Sequence, residues 1–123
     1  MTDVTGFGLL GHLMEVCEAS GVSATLNWNA IPVAEEANEL AKSFVLPDNA
    51  MRNWNNYESK SAIENNDAFA WLVDPQTNGG LLFTVEAKFA DEILGICKLR
   101  NPKSAIIGEV QDSQKDNKTI VVI

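Results

Sequence analysis

Thr2-Asp3-Val4-Thr5-Gly6-Phe7-Gly8-Leu9-Leu10-Gly11-His12-Leu13 sets a carboxylate and a hydroxyl just ahead of two glycines, and the glycines open into an apolar run of helical period. Glycine lets the backbone take positive φ or approach a ligand closely, and a helix starting there points unpaired N–H groups and a positive dipole end outward. Such a junction suits an anion. Asp3 beside an anion calls for a cation between the two, and Mg²⁺ is the economical one, because it takes one or two carboxylates together with phosphate oxygens and waters. Two plainer readings compete. Asp3 or Thr5 can cap the helix, being among the preferred capping residues. Gly6-Phe7-Gly8-Leu9-Leu10-Gly11 also spells the dinucleotide fingerprint. That motif needs a preceding hydrophobic strand and an acidic residue ending the next one. Only five residues precede Gly6, and the following strand-like run ends in Asn29, so the fingerprint is rejected.

Working outward, Leu9, Leu10, Leu13, Met14 and Cys17 recur at helical spacing with Glu15 and Glu18 turned away, which predicts a helix from Gly6 to Ala19 closed by Ser20-Gly21. The lone His12 is expected on its outer or flanking side. Val22 to Trp28 alternates apolar and polar, as in a half-buried strand. Ile31-Pro32-Val33 turns into a short helix over residues 34–43. Asparagines crowd around Trp54 and Tyr57 between Phe44 and Asn66, so an irregular loop packed by its aromatics is expected there, with Arg52 as a cation that can meet a phosphate or simply stand in solvent.

Residues 68–73 form a brief apolar element. They lead into a second glycine stretch, Asp74-Pro75-Gln76-Thr77-Asn78-Gly79-Gly80-Leu81-Leu82-Phe83-Thr84-Val85. Its strand is apolar on both faces at the start, which predicts a central position in a sheet, and the glycine pair marks either a tight turn or a close backbone approach. Glu86 to Arg100 reads as a helix with Phe89, Ile93, Leu94, Ile96 and Cys97 as its core face. Strands over residues 104–110 and 119–123 follow, joined by a charged loop and expected as a hairpin edge. This order predicts a single α+β domain with a mixed or antiparallel sheet covered by helices.

Composition bounds the partners. At 123 residues with 46% hydrophobic residues, the chain can bury roughly two thirds of its unfolded surface. A net charge of −8 without a basic cluster argues against nucleic acid and membrane-surface partners. No run approaches the length of a membrane span and no leader pattern opens the chain, so a cytoplasmic protein is expected. With a single histidine and two separated cysteines, Cys17 and Cys97, zinc is disfavoured and buried free thiols are expected.

Together the two glycine stretches resemble the two motifs of the selenophosphate synthetase (selenide, water dikinase) family. Both lie in its C-terminal domain, of the aminoimidazole ribonucleotide synthetase-like (PurM-like) type, and residues 47–60 resemble the family too. The resemblance implies an enzyme that makes selenophosphate, AMP and phosphate from selenide, ATP and water, with Mg²⁺ at the phosphates. It implies Asp3 as a metal ligand, with Thr5, Gly6 and Gly8 at the phosphate end, and Thr77, Gly79 and Gly80 as further nucleotide-site candidates that also shape the fold. No catalytic residue is assigned to this chain. In the family an N-terminal domain supplies the reactive Cys or selenocysteine, a lysine, further aspartates and much of a homodimer interface. The chain is therefore expected to be an isolated C-terminal domain, inactive alone. Another ATP-dependent enzyme of the same fold, such as a small-molecule kinase or maturation factor, and a non-catalytic binding module are the alternatives.

Overall fold

The computed structural model describes residues 1–37, 43, 46–64, 68–113 and 118–123. In chain order its elements are β1 (Thr2–Asp3), α1 (Gly8–Ser20), β2 (Val22–Leu26), α2 (Asp48–Tyr57), β3 (Ser61–Ile63), α3 (Phe69–Val73), β4 (Leu81–Leu82), α4 (Ala90–Arg100), β5 (Gly108–Asp112) and β6 (Ile120–Val122). Short 3₁₀ turns cover Trp28–Ala30, Glu58–Lys60 and Ala87–Phe89. The expected α+β architecture with a mixed sheet is present. β3, β6, β2 and β5 form a four-stranded sheet in that order, parallel across β3–β6 and β6–β2 and antiparallel across β2–β5. β1 and β4 form a separate antiparallel ribbon, Thr2 opposite Leu82 and Asp3 opposite Leu81.

α1 is the centre of the core. Leu9, Leu10, Leu13, Met14 and Cys17 are buried as their spacing requires, while Glu15 and Glu18 are exposed. The helix begins at Gly8 and ends at Gly21, which takes φ 66° and donates its N–H to Glu18 O, the left-handed ending expected of Ser20-Gly21. α1, α2 and α3 pack on one another. Ala24 and Leu26 of β2, Leu72 and Val73 of α3, and Ile120 and Val122 of β6 complete the core.

Four expectations are corrected. The segment after Pro47 is a helix, not an irregular loop: Pro47 sits extended at its N-cap and Asp48 occupies its first turn. Its inward positions, Ala50, Asn53, Trp54 and Tyr57, do have helical spacing, but one is an asparagine and one an alanine, so hydropathy hides the period. Its aromatics do pack, Trp54 meeting Phe69 edge-on at 5.2 Å. β4 is not a central strand. Leu82 packs on the core but Leu81 stays 62% exposed, so the two apolar faces of this strand are only half covered. α4 buries none of its expected face, and Phe89 and Ile96 are exposed. Finally, β5 and β6 are not a hairpin, because β2 lies between them. Most of the helix expected over residues 34–43, and residues 114–117 of the loop before β6, lie outside the described residues. Cys17 is a buried free thiol, pushed up in pKa by burial and then by the charge of Glu18, and Cys97 is free and half-buried.

Candidate functional site

The two glycine stretches meet through their backbones. Beyond the β1–β4 ribbon, Val4 N–H donates to Gly80 O at 2.9 Å and Gly79 N–H to Val4 O at 3.0 Å, and Gln76 N–H donates to Thr5 O at 3.1 Å. Thr5 O also accepts from Gly8 N–H at 3.0 Å, closing the turn that starts α1. Two glycines make this fit possible. Gly8 has φ +70°, and a Cβ there would stand 2.7 Å from Leu72 O. A Cβ on Gly79 would stand 2.1 Å from Val4 O. The close backbone approach, one of the two readings open for the Gly79-Gly80 pair, is therefore real at Gly79. Gly6 and Gly80 have open space instead.

The capping reading fails. The N-cap of α1 is Phe7, no side chain accepts a hydrogen bond there, and the first turn holds no acid. The reason is geometric: the Thr5–Gly8 turn and the left-handed Gly8 put Phe7, not Thr5, at the boundary. The amino end of α1 thus keeps its N–H groups free of side-chain caps.

Asp3 is exposed on the ribbon and Thr5 is half-buried two residues on, while Val4 between them is buried. Thr5 lies beyond the end of β1, in the turn into α1, and its hydroxyl faces the His12 ring. Thr77 is exposed in the turn before Gly79, and Arg52 is exposed on α2. Among the described residues, no group of three or more His, Cys, Asp or Glu side chains is close enough to hold a metal ion. Burial pushes the Asp74 carboxyl, at the head of the second stretch, above the usual carboxylate range.

Two supporting residues were not legible as such. Asn53 is buried on α2, and its amide Nδ2 donates to both Gly6 O at 2.9 Å and Val73 O at 3.0 Å, tying the glycine turn to the end of α3. Its signal is positional, at helical spacing from Ala50 and Tyr57. Asn53→Leu is expected to cost about 2 to 3 kcal/mol, since it strands the buried carbonyl of Val73 and removes the bond to the part-buried carbonyl of Gly6. Chemical denaturation of the variant measures this, and an unchanged midpoint would contradict the tie. His12, expected on the outer or flanking side of α1, is buried. Its Nε2 lies 3.1 Å from Thr5 Oγ1, its Nδ1 lies 3.3 Å from Glu15 Oε2, and the Phe7 ring tilts over it at 5.5 Å. It is drawn inward because the turn folds Thr5 back over the second turn of the helix.

Among the described residues no helix is long and apolar enough to cross a membrane. Residues 1–121 match the family model described as AIR synthase related protein, C-terminal domain. The chain is 39% identical over 123 residues to a selenide, water dikinase of Aeromonas hydrophila, covering 100% of this chain and 35% of that protein. It is 38% identical over 122 residues to the selenide, water dikinase of Photorhabdus laumondii, covering 99% of this chain and 35% of that one. With the Haemophilus influenzae protein of the same name it shares 41% over 98 residues, 80% of this chain and 28% of that one. The chain thus spans about a third of the length of the curated relatives it matches.

Proposed function

Because the chain belongs to the family of AIR synthase related protein C-terminal domains, we propose that it forms the C-terminal third of a selenide, water dikinase and builds half of a site for the phosphates of Mg²⁺-bound ATP. One observation carries this reading: the backbone pairing of Val4 with Gly79 and Gly80 brings both glycine stretches together at the uncapped amino end of α1. That end offers N–H groups to an anion in a chain whose net charge would otherwise repel one.

The residues fit a shared Mg²⁺ site. Asp3 supplies one exposed carboxylate two residues ahead of the glycine turn, which suits an ion that takes few protein ligands and fills the rest with phosphate oxygens and waters. When bound, the ion neutralises phosphate charge during phosphoryl transfer. Asp3 holds it. Gly6 leaves the phosphate end free of a side chain, Gly8 lets the turn into α1 close against the end of α3, and Thr77 with Gly80 borders the site from the second stretch. Gly79 acts by keeping the two stretches in contact. The N-terminal two thirds found in the relatives supplies the selenide chemistry and the remaining ligands, and covers the open apolar residues Leu81, Phe83 and Phe89. On this reading the full-length enzyme is a cytoplasmic homodimer.

Two measurements test it. This chain mixed with ATP, Mg²⁺ and selenide is expected to yield no selenophosphate; appreciable product would sink the shared-site reading. In a full-length enzyme carrying this domain, Asp3→Asn is expected to weaken Mg²⁺-dependent ATP binding by at least about tenfold, or 1.4 kcal/mol. Unchanged affinity and turnover would remove Asp3 from the site.

A further inference from the structure

We propose that Asn53 is a positioning residue for anion binding: by pinning the Gly6 carbonyl inward, it holds the Phe7 N–H outward as a donor to a phosphate oxygen. The inference rests on the site reading above and deepens it. It names one backbone donor at the phosphate end and the buried side chain that aims it.

Asn53 is only 5% exposed, and its Nδ2 donates to Gly6 O at 2.9 Å and to Val73 O at 3.0 Å. Both partners are carbonyls, which fixes the orientation of the amide, because a flipped Asn53 would set its own oxygen against two others. Gly6 and Phe7 are the central residues of a turn closed by the bond from Gly8 N–H to Thr5 O at 3.0 Å. Phe7, at φ −88° and ψ −2°, has the backbone of the third residue of a type I turn, and Gly6 does not take positive φ. The closing bond uses the amide of Gly8 and leaves that of Phe7 spare. Among the described residues no backbone carbonyl accepts it. The peptide joining Gly6 to Phe7 is planar and trans, so its N–H points opposite to its C=O. With the carbonyl drawn toward the buried Asn53, the Phe7 N–H is turned away from the core. Gly6 is exposed, with nothing within 4 Å of an added Cβ, so a ligand has room beside the turn. The reverse peptide orientation would present a carbonyl oxygen and repel an anion. Glycine is the residue beside which a peptide turns most freely, so the outward N–H needs an anchor from elsewhere in the fold, and α2 supplies it.

Gly6-Phe7 is the one Gly-Phe pair in the sequence, so a chain labelled with carbon-13 at glycine carbonyls and nitrogen-15 at phenylalanine gives a single correlated amide signal for that peptide. Its carbonyl carbon reports the Asn53 bond, and its amide proton reports the ligand. A uniformly labelled sample supplies the neighbouring amides. When this chain is titrated with Mg²⁺ and inorganic tripolyphosphate, the Phe7 amide proton is expected to move downfield, and further than that of Gly8, which is already committed to Thr5 O. Asn53→Leu should shift the Gly6 carbonyl carbon before any ligand is added, and should weaken tripolyphosphate binding about tenfold, the loss of one hydrogen bond to a charged group. Asn53→Ser, too short to span both carbonyls, gives the same readouts if the leucine variant does not fold. Val122→Ala opens a cavity in the sheet, on the strand between β2 and β3, and should bind tripolyphosphate as the parent does. Movement of the Gly8 and Leu9 amides without that of Phe7 would overturn the donor while leaving the site reading intact. Undiminished binding in the Asn53 variants, or an equal loss in Val122→Ala, would overturn the positioning role. A wild-type chain in which no amide from Gly6 to Leu10 moves would overturn the site reading itself.

Discussion

Gly8→Ala is expected to destabilise the domain by about 3 kcal/mol, a large share of the roughly 5 to 15 kcal/mol that holds a domain folded. Two costs combine. A left-handed backbone costs a residue with a Cβ about 1 to 2 kcal/mol, and Gly8 stands at φ +70°. The new methyl would also press on Leu72 O, Val73 C and Asp74 O at 2.7, 2.9 and 3.1 Å, all backbone atoms that cannot rotate away. Overpacking of that kind costs about 1 to 3 kcal/mol. Two neighbours separate the terms in the same denaturation experiment. Gly21 has φ +66° with nothing within 4 Å of an added methyl, so Gly21→Ala should show the conformational cost alone. Gly6→Ala, in open space without positive φ, should fall within about 0.5 kcal/mol of the parent. A Gly8→Ala midpoint no lower than that of Gly21→Ala would mean that α1 does not lie against the end of α3 as described.

Gly79→Ala is expected to cost a comparable amount, about 2 to 3 kcal/mol, through a different route. The added Cβ would sit 2.1 Å from Val4 O, the atom that accepts the Gly79 N–H bond at 3.0 Å. Relief requires the two segments to part, which forfeits that bond and loosens Val4 N–H from Gly80 O. The distinguishing readout is amide exchange: Val4 and Gly79 should lose protection together, while the β2–β5 and β2–β6 pairs keep theirs. Global loss of protection would place the damage elsewhere, and retained protection at Val4 would show that the approach is looser than the geometry gives.

The parts of this fold that hydropathy can reveal are those where burial and periodicity coincide. α1 is legible because its inward positions are all strongly apolar, and its end because Gly21 does what only glycine does cheaply. α2 is not, because Asn53 and Ala50 occupy inward positions and an asparagine-rich surface masks the period. β4 and α4 mislead in the opposite sense: Leu81, Phe83, Phe89 and Ile96 are apolar yet exposed, and composition reports affinity for burial, not its achievement. The hairpin expected of β5 and β6 fails because closeness along the chain is not closeness in the sheet. In the site, the glycines announce themselves through backbone demands. His12 and Asn53 do not, since a buried polar side chain is justified by partners many residues away: Gly6 O lies 47 positions from Asn53 in sequence.

The placement of β6 governs the order in which the molecule can assemble. Ile120–Val122 lies between β3 and β2, with Thr119 N–H donating to Lys60 O on one flank and Ile123 N–H to Leu26 O on the other. Until residue 122 is available, β2 and β3 have no strand between them and their facing edges stay open. The closing contacts join segments some 60 to 100 residues apart, so the loop entropy is spent before the sheet returns anything. Completion of the sheet, which needs the last strand, is therefore expected as a late, slow event. Removing or blocking the last strand should therefore retard refolding far more than it alters the helical signal formed in the first milliseconds.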